Sequence, residues 1–239
     1  MDEIIRISAW CGPRNLSTAL MYAFDNRQDC IAFDEPLYAY YLLNSPARAY
    51  HPGAEDIISN MEGDPKNLID FMLGDFPMPI VFFKQMTHHL LDIDRAFMEK
   101  MKNVILTRDP FDMIPSFAKV VPNLTIEDIG YKDQLALKEY LNSKGQDVLV
   151  VDSKKLQENP SEVLARLCDF CGITFDEKML KWEVGPKDSD GIWAPYWYES
   201  VHKSTHFLPY KPKAEPFPEA LYPLLEECNI YYDTLIAIK

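Results

Sequence analysis

Five short runs of apolar residues recur along the chain, each bounded by turn-forming residues. They occupy residues 4–10, 30–33, 80–83, 104–107 and 148–151. Several of these runs are continuously apolar rather than alternating, which is typical of strands that are buried on both faces of a parallel sheet. The segments between them show the apolar spacing of helices. The pattern therefore predicts an α/β fold with a mostly parallel central sheet flanked by helices.

Two of the predicted helices carry recognisable start or stop signals. The first begins near Ser17, directly after the first apolar run, and its apolar positions continue to Phe24. The second has Asn159 as its N-cap and Pro160 as its first helical residue, and Gly172 ends it. Proline near the start and glycine past the end are the usual asymmetry of helix termini.

Two stretches rich in proline, glycine and aromatic residues, 44–66 and 183–219, are predicted to be long ordered loops. Loops of this length in a compact domain usually form lids or binding segments. The aromatic cluster in the second stretch suggests a binding pocket or lid, and packing of the same rings onto the core is the structural alternative. Because no linker marks a boundary, we expect residues 1–239 to form a single domain.

The composition is ordinary for a soluble globular protein, with 47% hydrophobic and 26% charged residues. No apolar run approaches the roughly 20 residues that span a bilayer, and the N-terminus starts with strand-like sequence, so we expect neither a membrane anchor nor a signal peptide. Five cysteines are an odd count without the density of a disulfide scaffold, which indicates the reducing cytoplasm. The net charge of −13 disfavours nucleic acid and anionic membranes as partners.

Two cysteine or histidine patterns have the spacing of metal sites without the rest of the signature. Cys168 and Cys171 form a CxxC, but it falls inside a predicted helix and has no second pair, so we expect two buried thiols. His202 and His206 are four residues apart without the glutamate that zinc hydrolases place between them. We therefore predict that the protein has no metal site.

Phosphate-binding chemistry follows the first apolar run. The loop of residues 11–16 contains a cation, Arg14, and two hydroxyl residues open the helix after it. Backbone N–H groups at the helix start, the helix dipole and the arginine would all point at one place and form an anion trap. The candidate nucleotide-binding residues of this segment are Gly12, Arg14, Asn15, Leu16, Ser17 and Thr18.

A second anion trap follows the fourth apolar run. Arg108 ends this predicted strand, and Ser116 lies eight positions later in the helix that comes next. A ligand that carries phosphate at both ends fits two such traps better than a single triphosphate does.

Together the two segments resemble the PAPS-dependent sulfotransferases, in their bacterial and carbohydrate-directed branch, whose donor is 3′-phosphoadenosine-5′-phosphosulfate (PAPS). The family's Pro-Lys-x-Gly-Thr-Thr loop, which grips the 5′-phosphosulfate, corresponds to residues 13–18, with Arg14 in place of lysine and Leu16 in place of glycine. The family's arginine and serine that hold the 3′-phosphate correspond to Arg108 and Ser116. The resemblance implies a P-loop-like sulfotransferase fold, PAPS as donor and no required metal. Cytosolic members of the family place a basic segment over the 3′-phosphate. Residues 203–205 are its candidate counterpart here, although no motif matches.

The resemblance also offers candidates for the general base that removes the acceptor's proton. Glu35, after the second apolar run, is followed by proline as in bacterial and carbohydrate sulfotransferases, and it would face the same crevice as the phosphate loop. His88 or His89 follows the third run in a context similar to the family's Lys-Thr-His, and an imidazole suits proton transfer near neutral pH. Lys84 would touch the transferring sulfuryl group, and the alternative is a solvated lysine at the end of the strand. We favour Glu35 and keep both histidines as alternatives.

Three functions compete for this sequence. The leading hypothesis is a cytoplasmic sulfotransferase that moves a sulfuryl group from PAPS to a hydroxyl or amine of a small acceptor. The second is a P-loop kinase of a small metabolite, although the loop lacks the Gly-Lys-Ser/Thr ending of such enzymes. The third is a catalytically degenerate nucleotide-binding module that acts through partners, which Leu16 and the undecided base keep open. The sequence leaves the acceptor and the oligomeric state open.

Overall fold

The central sheet of the computed structural model, which describes residues 4–121 and 123–237, has five parallel strands. The strands are β1 (Ile5–Cys11), β2 (Cys30–Asp34), β3 (Ile80–Met86), β4 (Lys102–Thr107) and β5 (Val148–Asp152). Their order across the sheet is β2-β3-β1-β4-β5. Each predicted apolar run coincides with one strand, so the predicted α/β fold with a parallel sheet is confirmed.

Helices connect the strands and cover both faces of the sheet. The α-helices of the described residues are α1 (Ser17–Asp25), α2 (Tyr38–Asn44), α3 (Ala54–Asn60), α4 (Pro65–Leu73), α5 (Pro110–Phe117), α6 (Ile126–Ile129), α7 (Tyr131–Ser143), α8 (Ser153–Glu158), α9 (Pro160–Cys171), α10 (Ala194–Trp197), α11 (Glu199–His202) and α12 (Tyr222–Ala237). Short 3₁₀ helices occupy Pro46–Ala49, Thr87–Leu90, Arg95–Lys100, Glu177–Leu180 and Glu219–Leu221. Within the described residues, no helix combines the length and the apolar character needed to cross a membrane.

Both faces of the sheet are packed, which explains why its strands read as unbroken apolar runs. Alternate residues of β1 point to opposite faces: Ile7 and Ala9 join a cluster with α1 and α9, while Trp10 joins a second cluster with α4 and α7. All seven residues of β3 are buried. Because the strands are parallel, their carboxyl ends lie at one edge of the sheet, and the loops that leave them meet there.

The prediction of a long loop over 44–66 was wrong. Ser45 accepts a hydrogen bond from the Ala47 backbone N–H and starts a 3₁₀ turn, and α3 follows after Gly53, whose φ is 72°. Ala54 and Ile57 anchor α3 by packing into the core. The stretch 183–219 is mostly irregular, as predicted, but it includes the single-turn helices α10 and α11 and the 3₁₀ turn Glu219–Leu221.

Helices α1 and α9 lie where the sequence predicted them. Gly172 ends α9 with φ 75°, in the left-handed conformation expected of a glycine at this position. The predicted N-cap differs in detail, because the side-chain amide of Asn159 donates to the Glu162 carboxylate instead of accepting a bond from a helix N–H. Cys168 and Cys171 are buried on α9 as free thiols, as predicted.

Candidate active site

A cavity of about 360 Å³ opens at the carboxyl edge of the sheet. The predicted site residues that line it are Arg14, Asn15, Leu16, Ser17, Thr18, Glu35, Lys84, His88, His89, Arg108 and Ser116. Gly12 lies outside this lining, under the loop, where a side-chain Cβ would come within 3.0 Å of the Ile129 carbonyl oxygen. The fold therefore gathers residues from four separate segments of the chain into one cleft.

Hydrogen bonds to β4 and to the start of α8 hold the loop after β1 in place. The Asn15 side-chain amide donates to the Leu106 carbonyl at 2.6 Å, and the Ser153 hydroxyl donates to the Asn15 carbonyl at 2.6 Å. Arg14 and Leu16 have φ angles of 58° and 70°, in the left-handed region that costs an L-residue about 1 kcal/mol or more. Strain of this kind persists where the surrounding structure imposes it, and it clusters at functional sites.

Two arginines converge beside the start of α1. The Arg14 Nε donates to the Ser116 hydroxyl at 3.3 Å, and an Arg108 guanidinium nitrogen donates to the Arg14 carbonyl at 2.8 Å. Burial and the charge of Arg108 lower the pKa of Arg14. Among the described residues, neither guanidinium lies within 4 Å of a carboxylate. The two predicted traps thus join at Arg14, and their uncompensated charge suits an anionic ligand.

Lys213 is a third cation near this anion site, and the sequence pattern did not predict it. Lys213 donates to the Asp112 carbonyl at 2.6 Å, and burial together with the nearby Arg108 lowers its pKa. Residues 203–205 were the candidate basic segment. Their lysine, Lys203, is instead exposed and paired with Glu199. No spacing rule marks Lys213, because the irregular chain after α11 brings it back to α5.

The opposite end of the cavity contains a buried cluster of charged groups around Lys84. The Lys84 ammonium donates to Asp34 Oδ1 at 2.8 Å, to Glu35 Oε1 at 2.5 Å and to the Tyr198 hydroxyl at 2.5 Å. The Tyr198 hydroxyl in turn donates to Asp34 Oδ2 at 2.6 Å. The side chains of Lys84 and Asp34 are only 2% and 1% exposed, so water contributes little to their solvation.

The cluster sets the protonation of its members. Burial raises the pKa of Glu35 to about 7, with Lys84 opposing the rise and the charge of Asp34 adding to it. Burial alone would lower the pKa of Lys84, but Asp34 and Glu35 raise it well above its usual value. Lys84 therefore stays charged, while Glu35 can take up and release a proton near neutral pH.

The two histidines have the opposite electrostatic character. Burial lowers the pKa of His88 to about 3 and that of His89 well below its usual value, so both rings are neutral at pH 7. The His89 ring stacks against Tyr38 and Tyr41, with centroids 4.8 Å and 4.5 Å away. His89 Nδ1 lies 3.9 Å from Glu35 Oε2, beyond hydrogen-bond reach.

The aromatic segment predicted as a pocket or lid forms one wall of the cavity. Trp193, Trp197 and Tyr198 line it, together with Ser204 and Phe207 further along. Asp34 holds this segment in place, because the Gly191 N–H donates to its Oδ2 at 3.0 Å. The described residues contain no cluster of three or more histidine, cysteine or acidic side chains arranged for a metal ion.

Comparison with known proteins agrees with this geometry. A sequence model of the family described as "Sulfotransferase domain" matches residues 5–236. The chain belongs to the sulfotransferase family. Two solved structures resemble this sulfotransferase domain over nearly all of both chains: a sulfotransferase from Alicyclobacillus acidocaldarius (TM-score 0.56, 14% identity, 98% of this chain and 96% of that one) and the sulfotransferase domain of the curacin biosynthetic pathway (TM-score 0.51, 14% identity, 97% and 98%). The predicted sulfotransferase fold is therefore confirmed.

Two curated plant proteins are more similar in sequence to the sulfotransferase domain. The branched-chain-amino-acid aminotransferase-like proteins 2 and 1 of Arabidopsis thaliana are 37% and 36% identical, over 96% and 98% of this chain. The matches cover only 41% and 42% of those proteins, so the chain spans about two-fifths of their length. Their names consequently carry no information about the activity of the matched segment.

The raised pKa of Glu35 predicts how the free energy of unfolding depends on pH. Between pH 4.5, the ordinary value, and about 7, the folded chain keeps a proton that the unfolded chain releases. The wild type should therefore lose stability relative to Glu35→Gln as the pH rises through this window, by at most about 1.4 kcal/mol per pH unit. Urea unfolding of both proteins from pH 4.5 to 8 measures this difference. A difference that does not change with pH would contradict the raised pKa.

Proposed function

We propose that the chain is a PAPS-dependent sulfotransferase that transfers a sulfuryl group to a hydroxyl or amine of a small acceptor. The observation that carries this proposal is the distribution of charge in one cavity. At one end are two arginines that have no carboxylate within 4 Å among the described residues, and at the other end Lys84 is bonded to Glu35, whose pKa is raised to about 7. The first end suits an anionic donor and the second suits proton removal from an acceptor.

The donor end offers two kinds of phosphate ligand. The N-terminus of α1, with Ser17 and Thr18 at the cavity wall, would bind the 5′-phosphosulfate through N–H groups and hydroxyls. Arg108 and Ser116 would hold the 3′-phosphate, and Arg14, which already contacts Ser116, would lie between the two groups. The left-handed conformation of Leu16 supports this reading, because it lets a leucine follow the loop path for which related loops use glycine.

The acceptor end supplies the groups that the reaction requires. The acceptor oxygen or nitrogen would attack sulfur, the bond between sulfur and the 5′-phosphate oxygen would break, and the acceptor proton would pass to Glu35. Arg14 and the α1 N–H groups would stabilise the charge that develops on the leaving phosphate oxygen. Lys84, whose three N–H groups donate to Asp34, Glu35 and Tyr198, would orient Glu35 and place its charge beside the sulfuryl oxygens. Glu35 is the better base, because a general base works best with a pKa near the operating pH and the pKa of His88 is about 3.

Two other hypotheses have weaker support. A P-loop kinase places a lysine directly before the hydroxyl residue of its loop, whereas this loop ends Asn-Leu-Ser. A degenerate module would not need the buried cluster of Asp34, Glu35 and Lys84, whose burial costs free energy that a simple binding protein could avoid. The five cysteines are buried and free, which supports the proposal of a cytoplasmic protein. We also propose that residues 1–239 act as one domain.

Ligand preference separates these hypotheses. We expect 3′,5′-bisphosphoadenosine to raise the melting temperature without Mg²⁺, because the positive charge that binds it is supplied by the protein. Turnover with PAPS should likewise survive EDTA. A thermal-shift series with the bisphosphate, with ATP and with Mg²⁺-ATP makes the comparison. Stabilisation by Mg²⁺-ATP alone, or a Mg²⁺-reversible loss of activity in EDTA, would favour the kinase.

The anion site predicts a large effect of removing one arginine. Arg108→Ala should weaken binding of the bisphosphate by roughly 2–4 kcal/mol, since charge-assisted hydrogen bonds are lost. Titration calorimetry measures the change. Arg166→Ala, at an exposed position of α9 away from the cavity, is the matched control for the loss of a positive charge and should bind as the wild type does. Wild-type affinity in Arg108→Ala would rule out the assignment.

The general base is tested by three isosteric variants. Glu35→Gln should lower kcat by about 10²–10⁴-fold and leave bisphosphate binding intact, as expected when a proton-transfer step is lost. In the wild type kcat should rise with pH through about 7, because the base must be ionised. Near-normal turnover in Glu35→Gln, combined with its loss in His88→Asn or His89→Asn, would make a histidine the base.

A further inference from the structure

Aromatic rings surround the acceptor end of the cavity. We call this group the aromatic box; its members are Tyr38, Tyr41, Tyr50, His51, Trp193 and Trp197. Contacts within the box fix the rings: Tyr38 and Trp193 meet edge to face with centroids 4.8 Å apart, and the Tyr38 hydroxyl lies 2.7 Å from His51 Nδ1. The rings therefore form an aromatic wall of the cavity beside Glu35.

The charge around the aromatic box is negative. Asp128 lines the cavity next to the box, and burial together with the charge of Asp128 raises the pKa of Tyr50. Its carboxylate accepts hydrogen bonds from the Thr125 backbone and hydroxyl, and among the described residues no cation lies within 4 Å of it. Lys84 is the cation of this end of the described cavity, and Asp34 and Glu35 already bind it.

The histidines at this end add no positive charge. Burial lowers the pKa of His51, of His88 and of His89, so all three rings are neutral at physiological pH. Arg14 and Arg108 line the same cavity but belong to the donor end, where Arg14 bonds to Ser116 of α5 and Arg108 bonds to the Arg14 carbonyl. An acceptor with a negative group would therefore meet Glu35 and Asp128 without a free cation to compensate it.

We propose that the acceptor is a small alcohol that carries an ammonium group, which the aromatic box and Asp128 bind while its hydroxyl faces Glu35. This inference rests on the proposed function. Cations lie favourably over the faces of tyrosine and tryptophan, and the attraction increases when the site excludes water. A neutral alcohol of the same shape would keep the apolar contacts but lose both the cation–π attraction and the attraction of Asp128.

Isosteric alcohols separate these contributions. Choline and 3,3-dimethylbutan-1-ol have the same shape but differ by one positive charge, and hydroxypivalate is a small alcohol that bears a negative charge. Calorimetry on the full chain, with and without saturating 3′,5′-bisphosphoadenosine, should show choline binding about tenfold more tightly than its neutral isostere. With PAPS, kcat/KM should follow the same order, and hydroxypivalate should be the poorest acceptor.

A charge-neutralising variant tests the role of Asp128. Asp128→Asn keeps an oxygen that can accept the Thr125 hydrogen bonds, and it should weaken choline binding about fivefold without changing the affinity for 3,3-dimethylbutan-1-ol. Glu127→Gln, at an exposed position of the same helix, is the matched control and should bind both alcohols as the wild type does.

The outcomes distinguish this inference from the proposed function. Choline that fails to bind, or binds no more tightly than its neutral isostere, would overturn the inference, as would a preference for hydroxypivalate. If the bisphosphate binds normally in those experiments, the proposed function stands and only the acceptor class is wrong. If the protein binds no bisphosphate, the proposed function itself fails, whichever alcohol binds.

Discussion

The site depends on the hydrogen bonds and ion pairs of the buried Lys84 ammonium group. This group joins the ends of β2 and β3 to the aromatic segment, because Asp34, Glu35 and Tyr198 all bond to it or to each other. Removing one partner from such a cluster leaves an uncompensated buried charge, which is far more costly than losing an exposed ion pair. Burial at this cluster raises the pKa of Glu35, and Asp34 holds Gly191 and the cavity wall that follows it.

The two ends of the cavity treat positive charge in opposite ways. At the acceptor end the charge of Lys84 is compensated by the carboxylates of Asp34 and Glu35, so Lys84 mainly orients and polarises the groups bonded to it. At the donor end Arg14 and Arg108 have backbone and hydroxyl partners but no carboxylate within reach among the described residues. The chain has a net charge of −13, so two such arginines side by side form a local positive region. A negatively charged ligand would neutralise it. In the proposed reaction this asymmetry would orient donor and acceptor in the cleft.

Sequence reasoning succeeded where the physical signal is local. Apolar runs of strand length located the strands, because burial on both faces of a parallel sheet leaves no polar alternation to obscure them. The hydroxyl residues after the first loop located the start of α1, and nearly all of the predicted site residues line the cavity. Pattern alone missed α3, since proline and glycine near residues 46–53 suggested a loop whereas in the structure they start a 3₁₀ turn and a helix.

The sequence by itself therefore determined the parallel sheet and the loop after β1, because periodicity and spacing along the chain carry that information. In the structure the Ser116 hydroxyl accepts a hydrogen bond from Arg14, and Arg108 donates to the Arg14 carbonyl. Only the tertiary structure decided the protonation of Glu35 and of the histidines, since a pKa depends on burial and on charges from distant segments. It also brought Lys213 to the donor end and Tyr198 to Lys84, contacts between residues 101 and 114 positions apart that leave no periodic trace in the sequence. Local patterns fix which elements form, and the packing of those elements fixes the chemistry of the groups they enclose.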